Sequence, residues 1–204
     1  MTPVTAPLSQ APSNLQRREV VSTLLSKRED VLVVTGLGSA SYDVHAAGDR
    51  DDNYYLWGAM GGAALVGLGL AQAQPEKRVL VITGDGEQLM AFGSLATISV
   101  AKPRNLVIAV IDNGHFGETG MQMSHTGHGI EFERIAKACG FVDCATLTRI
   151  DEVEKLSRAV LEPAEGPRLY VIKVVAENPP RSLPPRDAVF VKNRFRSHLG
   201  FAPN

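Results

Sequence analysis

The chain contains little that would bind nucleic acid or form disulfides. Its 21 Lys and Arg are balanced by 22 Asp and Glu, and they form no basic stripe, which argues against a nucleic-acid partner. Only two cysteines occur, Cys139 and Cys144, and their spacing is not that of a metal-binding motif. We expect both to be reduced thiols, as in a cytoplasmic protein.

Hydrophobic segments long enough for a membrane helix are also lacking. The uncharged stretch from Leu56 to Ala73 is rich in glycine and short for a transmembrane span, so we expect no membrane association. The first 14 residues contain three prolines and no apolar core, and therefore do not resemble a secretory signal. We expect a disordered tail over residues 1–14 and a cytoplasmic location.

What is present is an alternation of short apolar runs with helical patterns. The runs at 31–35, 79–83, 106–111 and 169–175 have the length and composition of buried parallel strands. Helical patterns lie between them. This alternation predicts an α/β fold, a doubly wound parallel sheet with helices on both faces.

The composition changes after residue 176. Residues 15–176 carry the strand and helix patterns of one domain, whereas residues 177–204 are rich in proline and hold few core candidates. We interpret 177–204 as a proline-rich strap across a partner surface, with a short element over 189–195.

Several local features of the domain can be predicted from capping and breaking residues. We expect a glycine-rich helix over 58–73, a single helix over 87–101 and a long mobile loop over 112–130. Asp151 followed by Glu154 has the spacing of a capping box and predicts a helix start at that point.

Two polar turns, each at the end of an apolar run, are the most informative feature. Gly84-Asp85-Gly86 ends one strand and Asp112-Asn113-Gly114 ends the next, with 26 residues between Gly86 and Asn113. The carboxyl ends of strands in an open parallel sheet line one crevice, so Asp85 and Asn113 can meet there. Two hard oxygen ligands predict a Mg²⁺ site completed by water and phosphate.

These motifs resemble those of the thiamine diphosphate-dependent decarboxylases. The family has a Gly-Asp-Gly turn followed about 26 residues later by an Asn at a strand end, although its usual ending is Asn-Asn and this chain has Asp112. The segments Gly58-Ala59-Met60-Gly61 and Gly117-Glu118-Thr119-Gly120 extend the likeness. It covers roughly residues 17 to 196, and it is greatest to the β subunit of sulfopyruvate decarboxylase and the matching half of phosphonopyruvate decarboxylase.

The resemblance implies the thiamine diphosphate-binding fold and two cofactors, thiamine diphosphate and Mg²⁺. It assigns the metal to Asp85, Asn113 and the backbone carbonyl of His115. The residues that it places against thiamine diphosphate are Gly36, Gly38, Ser39, Gly58, Met60, Gly84, Gly86, Glu87, Asn113, Gly114 and His115. Glu87 is expected to contribute its backbone amide, since a carboxylate beside a diphosphate is unfavourable.

Met60 and His115 are the candidates for a direct catalytic role. By resemblance, Met60 is the wedge that holds the cofactor in its bent conformation. His115, His125 and His128 lie in the loop as candidate proton donors. Structural alternatives remain at this point: Asp85 can cap a helix, Asn113 can form a turn, and Met60 can fill a core gap.

The resemblance also implies partners. The family's activating Glu lies on a pyrimidine-binding domain that we do not find in these residues, so we expect a pyrimidine-binding α subunit, together with self-association. The expected activity is decarboxylation of a small 2-oxo acid. The segment 120–124 departs from the family's Gly-Gln-Pro-Thr, which makes a less polar 2-oxo acid as plausible as a sulfonate or phosphonate. An acetolactate synthase-like carboligase and a non-catalytic thiamine diphosphate-fold binding protein stay open as alternatives.

Overall fold

The computed structural model describes residues 13–202 and contains a six-stranded parallel sheet in the order β2-β1-β3-β4-β8-β7. A second, two-stranded antiparallel ribbon pairs β5 with β6. The strands are β1 Leu32–Thr35, β2 Asn53–Tyr55, β3 Val79–Gly84, β4 Leu106–Asp112, β5 His115–Phe116, β6 Gln122–Met123, β7 Asp143–Leu147 and β8 Arg168–Lys173. The helices are α1 Arg17–Leu25, α2 Ser39–Ala46, α3 Ala63–Ala73, α4 Asp85–Met90, α5 Ser94–Ala101, α6 Phe132–Cys139, α7 Ile150–Ala159 and α8 Ala188–His198.

Helices cover both faces of the sheet, as the alternating pattern predicts. Successive residues of a strand point to opposite faces, so Val107 and Ala109 pack against α1, α2 and α7. Leu106 and Ile108 point the other way and pack against α3, α5, α6 and α8. The doubly wound α/β prediction is therefore confirmed, and the sheet's carboxyl edge is left to the loops.

Two of the helix predictions were wrong. The glycine-rich helix expected over 58–73 begins only at Ala63, because Gly58 and Gly61 adopt φ values of +75° and +85°. The single helix expected over 87–101 is divided into α4 and α5, since Ala91 leaves the helical region at φ −111° and ψ 41°. Both breaks bring a turn to the carboxyl edge of the sheet.

The remaining differences concern short elements. We did not predict α2 or the edge strand β2, and the loop expected over 112–130 contains the β5–β6 ribbon. The cap of α7 was also misplaced: Glu152, not Glu154, accepts the backbone N–H groups of Thr148 and Arg149 at 2.9 and 3.1 Å. Short elements and caps carry too few residues for a periodic signal.

The C-terminal segment lies on this chain itself. Trp57 Nε1 donates to the carbonyl of Pro185 at 2.9 Å, and Ser182 Oγ lies 2.8 Å from Nδ1 of His45 on α2. Asp187 then caps α8, which packs against β2 through Phe195 and Tyr54. In the described residues the segment therefore contacts α2, and its contact with a partner stays a prediction.

Most of the expected tail over 1–14 lies outside the described residues, which begin at Ser13. Cys139 and Cys144 are both free thiols. Within residues 13–202, none of the helices has the length and apolar character needed to cross a bilayer.

Candidate active site

The two polar turns meet at the carboxyl edge of the sheet. Strands β3 and β4 run side by side in parallel, and their pairing places Gly84 opposite Ile111. The next residue after this pair is Asp85, the first of α4, on one side and Asp112, the last of β4, on the other, and both side chains are buried. Asn113 lies one residue further, in the same turn, so the strand register brings the predicted metal ligands to one place.

Two hydroxyl groups of the following loop contact the buried carboxylates, and that of Thr126 bridges them. Ser124 Oγ donates to Oδ2 of Asp85. Thr126 Oγ1 lies 3.0 Å from the same oxygen and 2.7 Å from Oδ1 of Asp112. The loop is therefore hydrogen-bonded directly to Asp85, the predicted metal ligand.

Lys173 supplies the nearest positive charge. Its Nζ lies 2.6 Å from Oδ2 of Asp112, at the end of β8, where the register pairs the two residues. Within residues 13–202 Asp85 has no such partner. Burial, and secondly the charge of Asp112, raise its pKa, while the hydroxyls of Ser124 and Thr126 oppose the rise. A cation placed on Asp85 would relieve this unfavourable burial.

The donor set at this edge suits Mg²⁺ more than zinc. Among residues 13–202 no group of three or more His, Cys, Asp and Glu is arranged to hold a metal ion. Structural zinc sites need about four such ligands. Mg²⁺, in contrast, is held by one or two protein oxygens and completes its octahedron with water and substrate phosphate. The carboxylate of Asp85 and the amide oxygen of Asn113 meet that requirement.

The turn that carries Asn113 is fixed by its own polar groups. The backbone N–H of His115 donates to Oδ1 of Asn113 at 3.0 Å, and that of Gly114 donates to Oδ1 of Asp112 at 2.9 Å. Nδ1 of His115 lies 2.8 Å from the carbonyl oxygen of Asn113. Because a carbonyl oxygen only accepts, Nδ1 carries the proton and Nε2 is left as the basic nitrogen.

Glu87 uses its side chain in a way that the sequence did not reveal. Its buried carboxylate accepts Thr83 Oγ1 at 2.7 Å and the backbone N–H of Gly61 at 3.3 Å. A Cβ placed on Gly36 would lie 1.4 Å from Oε2 of Glu87, so the carboxylate fills the space beneath that glycine. Burial raises the pKa of Glu87, while these hydrogen bonds oppose the rise. The residue joins the turn carrying Met60 to the end of β3.

A cavity of about 140 Å³ connects these groups. The predicted residues that line it are Ser39, Met60, Gly84, Asp85, Gly86, Glu87, Asn113 and His115. Gly36, Gly38, Gly58 and Gly114 are outside its lining and instead shape the turns around it. His125 packs edge-on against Phe116 with ring centroids 6.4 Å apart, and neither His125 nor His128 lines the cavity.

Four contributors to this edge were missed: Arg17, Ser124, Thr126 and Lys173. Lys173 could have been found, because a charged residue at the end of an apolar strand aligns with Asp112 when the strands are placed in parallel. Arg17 and the two hydroxyls gave no signal, since their partners are distant in the sequence.

Comparison with known proteins agrees with this geometry. The family described as thiamine pyrophosphate enzyme, C-terminal TPP binding domain, matches residues 35–174. The chain is 38% identical over 170 residues to sulfopyruvate decarboxylase subunit beta of Methanocaldococcus jannaschii, covering 82% of this chain and 87% of that subunit. It is 39% identical over 145 residues to phosphonopyruvate decarboxylase of Streptomyces viridochromogenes, covering 71% of this chain and 36% of that protein.

Solved structures show the same fold. Benzoylformate decarboxylase of Polynucleobacter necessarius superposes with a TM-score of 0.71 at 17% identity, over 86% of this chain and 36% of that one. The chain thus spans nearly all of a β subunit but little more than a third of these single-chain enzymes. The chain therefore belongs to the thiamine diphosphate-dependent decarboxylase family and carries that family's C-terminal thiamine pyrophosphate-binding domain.

Proposed function

We propose that this chain is the subunit of a 2-oxo acid decarboxylase that holds the diphosphate end of thiamine diphosphate together with a Mg²⁺ ion. The observation that carries the proposal is the shared cavity, in which Asp85 and Asn113 lie at one strand edge with Met60 on the same wall. Family membership makes the cofactor thiamine diphosphate, and the oxygen donors favour Mg²⁺.

Different residues of this chain would contact different parts of the cofactor. Asp85, Asn113 and the carbonyl of His115 would hold the metal, and the backbone of Gly84, Gly86 and Glu87 would face the diphosphate. Met60 is 46% exposed, as expected of a side chain that supports a ligand rather than a core. When bound, thiamine diphosphate supplies the electron sink for decarboxylation; the protein binds and orients it.

The cavity is too small to enclose the whole cofactor. Pockets that bury a drug-sized ligand are about 300–1,000 Å³, whereas this one is about 140 Å³. Next to it, a second depression shares Gly86 and Phe116 and is lined by exposed apolar side chains, namely Met90, Phe92 and Ile130. An incomplete cavity beside an exposed apolar surface supports a partner, which we propose to be an α subunit that provides the pyrimidine-binding half and its activating glutamate.

The substrate that we propose is a small 2-oxo acid. Relatives are named for sulfopyruvate and phosphonopyruvate, whose second anionic group needs polar partners. Here the β5–β6 ribbon beside the cavity carries Met121 and Met123 in a hairpin fixed by the Met121 N–H bond to the carbonyl of Phe116 at 3.0 Å. These apolar side chains support a less polar 2-oxo acid as an equal candidate.

Calorimetric titration of the chain with thiamine diphosphate and Mg²⁺, with and without the α subunit, tests the proposal. Asp85→Ala should abolish metal-dependent binding, whereas Asp30→Ala, which removes an exposed carboxylate paired with Lys77, should not change it. We expect binding to tighten when the partner is present. If the unaltered chain binds no cofactor in either setting, the proposed role is wrong.

A further inference from the structure

A buried arginine, Arg17, lies on the wall of the cavity that holds the candidate metal ligands. Arg17, the first residue of α1, is 3% exposed and lines the same cavity as Asp85 and Met60. Its Nη1 lies 3.2 Å from Oδ2 of Asp43 on α2. Within residues 13–202, however, neither Nε nor Nη1 of Arg17 has a hydrogen-bond acceptor.

Asp43 does not satisfy this guanidinium on its own. Its Oδ2 also lacks a hydrogen bond within residues 13–202, and its Oδ1 accepts one long hydrogen bond from Nε of Arg18 at 3.4 Å. Burial raises the pKa of Asp43 to about 6 in spite of both arginines. A buried charge with few hydrogen bonds is costly, so the pair is poorly compensated in the protein alone. An anion in the cavity would compensate the charge of Arg17.

The cavity wall beside Arg17 has a second feature that suits an anion. Helix α2 begins at Ser39 after Gly38, and no side chain caps it. The first N–H groups of a helix lack partners within the helix and bind phosphate or carboxylate readily. Ser39 and Ala40 line the cavity together with Arg17, so the uncapped start of α2 and the arginine side chain border the same space.

We propose that Arg17 binds the terminal phosphate of the cofactor's diphosphate, with the first turn of α2 supplying backbone N–H groups to the same phosphate. This inference rests on the proposed function. A Mg²⁺ ion held by Asp85 and Asn113 would neutralise only part of the charge of a diphosphate ester, because the Asp85 carboxylate already offsets one of its two positive charges. Arg17 supplies the remaining positive charge in a planar fork that matches phosphate oxygens. Asp43, which also lines the cavity, would position the guanidinium through its ion pair with Nη1.

A purely structural role predicts a different behaviour. If Arg17 only joins α1 to α2 through Asp43, its removal should weaken the fold and should affect every ligand of the cavity equally. If it binds the terminal phosphate, its removal should act on thiamine diphosphate and spare thiamine monophosphate, which lacks that group. The ratio of the two affinities therefore separates the roles.

The test is calorimetric titration of the full chain at fixed Mg²⁺ with each of the two thiamine phosphates. We expect Arg17→Met to weaken thiamine diphosphate binding by about 10- to 100-fold, the range for a lost charge-assisted hydrogen bond, with monophosphate binding nearly unchanged. Arg17→Lys should fall between, since it keeps the charge and loses the fork. Arg18→Met is the matched control: Arg18 also faces Asp43, but it does not line the cavity, and both affinities should stay as they are.

Every outcome of these titrations either supports or overturns the inference about Arg17. Equal losses for both thiamine phosphates, or an unchanged preference for the diphosphate in Arg17→Met, would overturn the inference while Asp85→Ala still tests the proposed function. No binding of either ligand by the unaltered chain would overturn both. If Arg17→Met melts early, Arg17→Met with Asp43→Asn removes the stranded carboxylate, and the same affinity ratio is read in that background.

Discussion

Replacing Lys173 by Met should destabilise the protein by leaving a buried carboxylate without its cation. Asp112 is almost completely buried, and Lys173 is the cation that meets it, at 2.6 Å. Methionine preserves much of the aliphatic volume of lysine and removes the charge. The change therefore isolates the ion pair at the end of β4 and β8 from the packing around it.

The structure sets the expected magnitude. Removing one partner of a buried ion pair costs about 3–5 kcal/mol, because the other charge stays buried. The Lys173 side chain is 18% exposed, and Asp112 keeps hydrogen bonds from Gly114 and Thr126. We therefore expect a loss near the lower limit, about 3 kcal/mol. Asp112→Asn in the same chain should recover most of it, since the amide oxygen can still accept the Gly114 N–H.

Urea denaturation at neutral pH without cofactor measures the free energy of unfolding for the unaltered chain, Lys173→Met, and the double variant Lys173→Met with Asp112→Asn. Lys77→Met is the surface control, because its partner Asp30 is exposed and such pairs contribute at most about 1 kcal/mol. A Lys173→Met variant as stable as the Lys77→Met control would refute the reasoning. So would a double variant no more stable than the single one.

Three further predictions concern the other groups at this edge. Gly36→Ala should cost about 1–3 kcal/mol through overpacking, since the new Cβ meets the Glu87 carboxylate, and adding Glu87→Ala should reduce that cost in a double-mutant cycle of unfolding energies. Asp43, whose pKa rises to about 6 from 3.8, binds more protons when folded than unfolded between those values. Its contribution to stability therefore falls by up to about 3 kcal/mol as pH rises through that window, and Asp43→Asn should flatten this part of the stability profile. Met60→Ala should leave the melting temperature nearly unchanged, because its side chain is half exposed, yet weaken thiamine diphosphate binding in calorimetry while sparing inorganic diphosphate.

The sheet and its edge could be predicted because their signals are local and periodic. The apolar runs that became β1, β3, β4 and β8 are bounded by turn residues, and parallel pairing follows from the helices between them. Once β3 and β4 are neighbours, Gly84 and Ile111 stand side by side, and the position of Asp85 near Asn113 needs no further information. The candidate metal ligands could therefore be predicted from the spacing of the two polar turns in the sequence.

The contacts that complete the site could not be predicted in this way. Thr126 reaches Asp85 across 41 residues, and Arg17 reaches Asp43 from a different helix. Such contacts depend on how loops and helices pack at the edge. A one-residue shift in α1 or in the β5–β6 ribbon would abolish them. Gly58 and Gly61 misled the helix prediction for a related reason: their left-handed backbone serves a turn at the cavity, and helix propensity is overridden there.

Charge burial at this edge also distinguishes it from the rest of the fold. Four buried carboxylates lie in or against the cavity, those of Asp43, Asp85, Glu87 and Asp112. Arg17 and Arg18 face Asp43, and Lys173 faces Asp112. Burial raises the pKa of Asp43, Asp85 and Glu87, so these carboxylates destabilise the folded protein when they are ionised. The remainder of the sheet is almost entirely apolar and offsets that cost. Local rules of polar burial are broken mainly at functional sites. Within residues 13–202 no cation faces Asp85 or Glu87; Glu87 accepts hydrogen bonds from Thr83 and Gly61, and Asp85 is the carboxylate that we propose as the metal ligand.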